Sequence, residues 1–152
     1  MSQNDVKLNE VKDFAFLADK SYKTANGESD QLPKAKEGVI TNDTTNSSFE
    51  VVEQKNEYTA FGKGFGFSGT VFKNTETNEY VIAFRGTNDG EDFLDDLIMG
   101  ATSTGLLGDI TNKQFKEAFA FASEQIARIQ AQNPDAKISF TGHSLGGALA
   151  AA

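Results

Sequence analysis

The sixteen residues KISFTGHSLGGALAAA, Lys137 to Ala152, constrain the fold more than any other stretch of the chain. A β-prone run, Ile138 to Thr141, gives way within a few residues to a helix of small side chains. Gly142 and Gly146 bracket the turn, and Ser144 stands at its apex. A strand-to-helix turn this sharp crowds the residues two before and two after its apex, and glycine removes the side chains that would collide there. Gly147, Ala148 and Ala150 keep the helix thin, so that it can pack closely on strands. Gly142-His143-Ser144-Leu145-Gly146 is the pattern G-x-S-x-G, which carries meaning when a strand precedes it and a helix follows, as is predicted here. A serine hydroxyl is a weak nucleophile and must be exposed to a base. The helix directs its first amides and the positive end of its dipole at that hydroxyl. The Leu145 amide is thereby placed to hold an oxyanion, a task in which losing one donor costs about 3 kcal/mol.

The remaining chain supplies the elements such a turn needs behind it. Val6, Val11, Phe14, Ala15, Leu17, Ala18 and Tyr22 recur at helical spacing and predict a helix from about Val6 to Lys23. Ala25 to Ser48 is polar and turn-rich, with TNDTTNSS its most loop-like piece. Strands are predicted over Phe49 to Gln54, Phe67 to Lys73 and Glu79 to Arg85, the last two forming a hairpin around NTETN. Thr111 to Gln132 predicts a helix with Phe115, Ala118, Phe119, Ala122, Ile126 and Ile129 on one face. Thr111 and Gln114 fit a capping box at its start, and Asn133-Pro134 ends it. Strands, a helix, then a strand turning into a helix is the order of an α/β fold. GFGFSGTV, Gly64 to Val71, spells a kinase glycine-rich loop, but no H-R-D or D-F-G follows and Arg85 stands where lysine belongs. It reads instead as a glycine-rich entry to the hairpin, with aromatic rings packed over the gaps.

Composition excludes several function classes. At 152 residues the chain is expected to be one domain, 1–152. It has no cysteine, which removes disulfides, thiol catalysis and cysteine-ligated metals. A formal charge of −8 makes nucleic acid a poor partner. MSQNDVKLNE has neither a basic start nor an apolar run, so no signal peptide is predicted, and location is expected to be cytoplasmic or reached by a route without such a signal. No stretch approaches the ~18 apolar residues of a transmembrane segment. The glycosylation triplets at Asn42 and Asn46 are read as chance.

FTGHSLGGALA (Phe140 to Ala150) together with VIAFRGT (Val81 to Thr87) resembles the class 3, fungal-type lipase family of α/β-hydrolases. The resemblance covers Phe67 to Ala152 well and the N-terminal helix loosely. It implies an α/β-hydrolase-like fold: the N-terminal part of a central, mostly parallel sheet with flanking helices and a nucleophile elbow at the C-terminus. It also implies hydrolysis of fatty-acyl esters, of the triacylglycerol lipase or phospholipase A type, through a Ser-Asp-His triad, with a lipid ester as substrate and no cofactor or metal. Ser144 would be the nucleophile. The Leu145 amide would give one oxyanion contact, and Thr87, through its amide and hydroxyl, the other. FLDDL, Phe93 to Leu97, resembles the family's W-x-x-D-L segment with phenylalanine in place of tryptophan. Asp96 and Arg85 are read as structural. The residues from Asp92 to Asp109 sit where family members carry a lid. ITNKQF, Ile110 to Phe115, departs from the family's V-H-x-G-F.

In this fold the triad runs in the order Ser, Asp, His. After Ser144 come only Leu, Gly, Gly, Ala, Leu, Ala, Ala and Ala, and the one histidine is His143. As the elbow residue beside the nucleophile, His143 is expected to point away from it and not to act as base. The triad Asp and His are therefore expected from the missing C-terminal half of a longer enzyme or from a second polypeptide. The alternative is a non-catalytic fragment that binds lipid or a partner on a hydrolase scaffold.

Overall fold

The computed structural model describes residues 2–21, 32–56, 67–85, 105–142 and 145–151. Helix α1 (Gln3–Lys20) begins three residues earlier than the periodicity predicts, because Ser2 and Asp5 form a capping box. The Asp5 carboxylate accepts from the Ser2 hydroxyl at 2.7 Å and from its amide at 2.9 Å, which holds its pKa below the usual carboxylate range. The buried stripe of α1 is Asp13, Leu17, Ala18 and then Ser21. Val6 and Val11, expected on the inner face, are exposed, and Tyr22 lies outside the described residues. Leu17 and Ala18 are buried and Phe14 packs on the core as the periodicity predicts, while the buried Asp13 escapes an apolar count.

Five strands follow in sheet order β1-β2-β3-β4-β5: β1 (Val39–Asn42), β2 (Ser47–Asn56), β3 (Ser68–Asn74), β4 (Glu79–Phe84) and β5 (Lys137–Gly142). The first four form an antiparallel meander, and β5 adds parallel to β4 after the crossover through helix α2 (Gly105–Gln132). The described sheet is thus mixed, and its parallel part begins at β4–β5. Helix α3 (Leu145–Ala151) closes the order.

Two of the sequence expectations need correction here. TNDTTNSS is a β1–β2 hairpin: Thr45 and Asn46 amides donate to the Asn42 carbonyl at 3.2 and 2.7 Å, and Asn46 takes a φ of 64°. Asparagine tolerates that left-handed backbone, so a polar run can turn tightly between strands. Helix α2 starts at Gly105, so Thr111 is internal to it and does not cap it. Its buried stripe runs through Gln114, Ala118, Phe121, Gln125 and Ile129, and Phe119 is exposed. Ala118 and Ile129 of the predicted face are in the core and Phe115, Ala122 and Ile126 pack against it, while the two buried glutamines escape an apolar count.

Strand alternation divides the core in two. On one face Leu17, with Phe14 and Phe16, packs on Phe49, Val51, Phe72, Val81 and Ala83. On the other, Ala118, Phe121 and Ile129 of α2 pack on Val71, Tyr80, Ile82 and Phe84. Val52 reaches this second face by ordinary alternation from Val51, and the bulge between Val51 and Glu53 turns Glu53 to it as well, where its carboxylate meets Arg128 of α2 at 2.9 Å. The NTETN turn is held by Asn74, whose Oδ1 accepts the Glu76 and Thr77 amides at 2.9 and 3.2 Å. Asn78 and Asn133 exchange side-chain hydrogen bonds, which seats the end of α2 beside that turn. Among the described residues no helix is long and apolar enough to cross a membrane.

Candidate active site

The parallel pair β4–β5 brings together the two chain segments singled out by their motifs. Its register sets Ile82 beside Phe140, Ala83 beside Thr141 and Phe84 beside Gly142. VIAFR and FTG therefore end side by side at one edge of the sheet. β5 stops at Gly142 and α3 starts at Leu145, so strand gives way to helix across an interval of two residues. The reason for glycine at 142 is steric. A Cβ there would lie 2.1 Å from the Gly146 carbonyl oxygen, 2.2 Å from its carbon and 2.7 Å from the Gly147 nitrogen. Gly146 is itself buried, and a Cβ on Gly147 would approach the Gly142 oxygen to 3.2 Å. Helix and strand backbones are in direct contact across the turn.

Both faces of the sheet brace this edge. On the α1 side the Thr141 hydroxyl donates to the Phe14 carbonyl at 3.1 Å. At the other end of β5, Lys137 bridges Glu10 of α1 at 2.5 Å and Glu79 of β4 at 2.9 Å. On the α2 side four aromatic rings form a ladder. Phe140 stacks on Phe84 with centroids 6.3 Å apart and planes within 5°. Phe84 meets Phe67 at 6.0 Å, and Phe67 meets Phe121 edge-on at 5.6 Å. Phe121 lies over Gly69, where a Cβ would come within 2.7 Å of the ring. The glycine in F-S-G-T-V thus admits a ring, as its sequence suggests. Arg85 follows Phe84, is buried, and its amide donates to the Ser68 carbonyl at 3.0 Å.

An apolar cavity of about 170 Å³ opens between α2 and α3, lined by Phe84, Phe115, Phe119, Ile126, Phe140 and Ala150 among others. A more polar cavity of about 240 Å³ lies between α1 and the sheet, with Glu10, Asp13, Glu79 and Lys137 in its wall. Its charged groups already engage one another or neighbours: Asp13 accepts from Asn42 at 2.8 Å and from the Thr45 hydroxyl, and Lys137 is paired as above. Among the described residues no group of three or more His, Asp or Glu side chains could hold a metal ion.

Of the residues singled out from sequence, the structure places Gly142, the Leu145 backbone and Gly146 at one turn. Thr87, His143 and Ser144 lie outside the described residues, as do Phe93 and Asp96. So does most of the lid-like segment, while Gly105 to Asp109 belong to α2. Sequence reasoning missed the Phe84–Phe140 stack and the Thr141–Phe14 bond. The available signal was that Phe84 and Phe140 each lie two residues before a motif glycine, at 86 and 142.

The fold matches solved lipases. The Lip2 lipase from Yarrowia lipolytica superposes with a TM-score of 0.68 at 18% identity, over 99% of this chain and 52% of that one. A structure described as a fungal lipase gives 0.63 at 17%, over 99% and 56%. The MDLA N225Q mutant from Penicillium cyclopium gives 0.58 at 19%, also over 99% and 56%. The chain therefore spans about half the length of the lipase structures it matches. No curated protein matches it by sequence. Residues 13–152 match the phospholipase-like family described as the Tle-like phospholipase domain, and the chain belongs to that family.

Proposed function

We propose that this chain is the nucleophile-bearing part of a serine ester hydrolase that cleaves fatty-acyl esters of lipids, of the lipase or phospholipase A type. One observation carries the reading: β5 hands over to α3 in two residues, with the Gly142 and Gly146 backbones in contact across the turn. In this reading Ser144 is the residue that such a turn presents to a substrate. The turn also makes Leu145 the first residue of a helix, whose amide has no intrahelical acceptor and is free to bind a ligand.

In this reading the Ser144 oxygen attacks the ester carbonyl carbon while its proton passes to a base. The carbonyl oxygen gains the negative charge, and the Leu145 amide with the amide and hydroxyl of Thr87 stabilise it. Collapse of the adduct breaks the bond to the alcohol, which leaves with a proton and gives an acyl-serine. Water then attacks the acyl-serine, releasing the fatty acid and restoring the hydroxyl. The base, and the acid that orients it, would come from polypeptide outside these 152 residues, since the one histidine is His143, next to the nucleophile. The membership in a phospholipase-like family and the half-length match to lipases support this division.

The test is direct. Ser144→Ala in the complete enzyme is expected to abolish both ester hydrolysis and covalent labelling by a fluorophosphonate. Full hydrolysis by that variant rejects the assignment.

A further inference from the structure

We propose that the Phe84–Phe140 ring stack is a positioning device for catalysis, setting the end of β4 against the end of β5. The proposal rests on the reading of Ser144 and Thr87 given above. Phe84 is the last residue of β4 and lies three residues before Thr87; Phe140 lies four before Ser144. Among the described residues the two segments are joined along the β4–β5 ladder, which ends at Phe84 and Gly142. Parallel pairing is slightly the less stable kind, and a ladder fixes strand spacing more firmly than it fixes sliding and tilt at its last rung. Two rings stacked within 5° across that last turn of the sheet resist both motions.

The two rings differ in burial, and that difference separates positioning from core packing. Phe84 is 2% exposed and touches Phe67 as well, so it belongs to the core. Phe140 is 37% exposed, on the last strand of the described sheet, and its one ring partner among the described residues is Phe84. Removing the Phe140 ring therefore takes less from the core than removing Phe84 would, and removes the lateral brace. An oxyanion site needs its donors held near 3 Å from a charge that exists only in the transition state. A misplacement on the order of 1 Å costs up to about a hundredfold in rate. The loss falls on kcat, since binding of the ground-state lipid does not use those donors fully.

The experiment compares Phe140→Leu, Phe140→Met and Phe140→Tyr in the complete enzyme, with Phe119→Leu and Ser144→Ala alongside. Phe119 borders the same cavity but is 75% exposed and has no ring contact with Phe84. The measurements are kcat and KM on a short-chain p-nitrophenyl ester, and the urea midpoint. The expected result is a fall in kcat of about ten- to a hundredfold for the Leu and Met variants. KM and urea midpoint should stay unchanged, while Phe140→Tyr and Phe119→Leu stay near wild type. If Phe140→Leu does not fold, Phe140→Met, closer in length to the ring, carries the same expectation. Unchanged kcat in ringless variants beside an inactive Ser144→Ala overturns the stack's role alone. So does an equal loss in Phe119→Leu. Full activity of Ser144→Ala removes the nucleophile reading and this proposal with it.

Discussion

Gly142 and Gly146 touch backbone to backbone: the hydrogen that glycine keeps in place of a Cβ at 142 faces a carbonyl oxygen 2.1 Å from where that Cβ would be. No φ constraint is involved, only space. Gly142→Ala must therefore push α3 off the end of β5. The neighbouring atoms are main chain and cannot swing aside, so the cost belongs with overpacking, roughly 1–3 kcal/mol. Gly147→Ala is the contrast, because its Cβ would meet the Gly142 oxygen at 3.2 Å, a contact that a small shift relieves. Urea denaturation should rank Gly142→Ala clearly below Gly147→Ala, and an equal midpoint for the two would contradict the geometry described.

Gly69 and Phe121 form a second pair of this kind, between β3 and α2. A Cβ at 69 would approach the Phe121 ring to 2.7 Å and the Phe67 ring to 3.0 Å. Here the obstacle is side chain, so it can be removed. Gly69→Ala alone should destabilise by about 1–3 kcal/mol, and Phe121→Leu alone by a similar amount through lost packing. Together they should cost less than the sum, by about 1 kcal/mol, because leucine vacates the space the methyl needs. Strict additivity in the double-mutant cycle would show that helix and strand do not meet at this point.

The turn at 142–146 was legible in the sequence because its requirement is written in residue types that tolerate no substitute. Glycine where backbones touch has no polar or apolar synonym. The three central strands were legible for a similar reason, since β-branched and aromatic residues cluster in Phe49 to Gln54, Phe67 to Lys73 and Glu79 to Arg85. What stayed hidden is where polar residues serve the interior. Gln114 and Gln125 are buried in the stripe of α2, and Asp13 in that of α1, so apolar counting found the faces but not these members of them. The β1–β2 hairpin was hidden because its strand Val39–Asn42 is half polar and its turn relies on Asn46 in a left-handed conformation. Ring stacking such as Phe84 on Phe140 depends on sheet register, which no single strand's sequence reveals.

Asp13 shows what the buried polar groups hold together. It accepts from the Asn42 side-chain Nδ2 at 2.8 Å and from the Thr45 hydroxyl, so it ties α1 to the β1–β2 turn. Asn42 also accepts the Thr44 amide at 3.1 Å, which shapes that turn. Asn42→Ala takes one donor from a buried carboxylate and leaves the turn unbraced. A loss of roughly 1–3 kcal/mol is expected in urea denaturation, larger than that of a surface substitution. Amide exchange should quicken in β1 and in α1 while the β3–β4 hairpin stays protected. A uniform change across the sheet would count against a local tie.

Lys137 joins three elements at the far end of β5, and its charge makes that junction depend on pH. The Glu10 carboxylate at 2.5 Å, and then the Glu79 carboxylate at 2.9 Å, raise its pKa above the ordinary 10.5. The sign follows from linkage. A raised pKa in the folded state means that folding favours the protonated amine, so the stabilisation is fully present below the ordinary lysine pKa. It fades as pH climbs from 10.5 through the higher folded value, when the amine becomes neutral and the two carboxylates lose their bridge. The side chain is 60% exposed, so solvent screens the pairs. Exposed pairs contribute about 0.2–1 kcal/mol each, and Lys137→Met should cost on the order of 1 kcal/mol at pH 8 and low salt. The gap between wild type and variant should narrow in 1 M NaCl and close on titration above pH 10.5. A gap that persists unchanged through both titrations would mean that the lysine stem, and not its charge, holds α1 against β4 and β5.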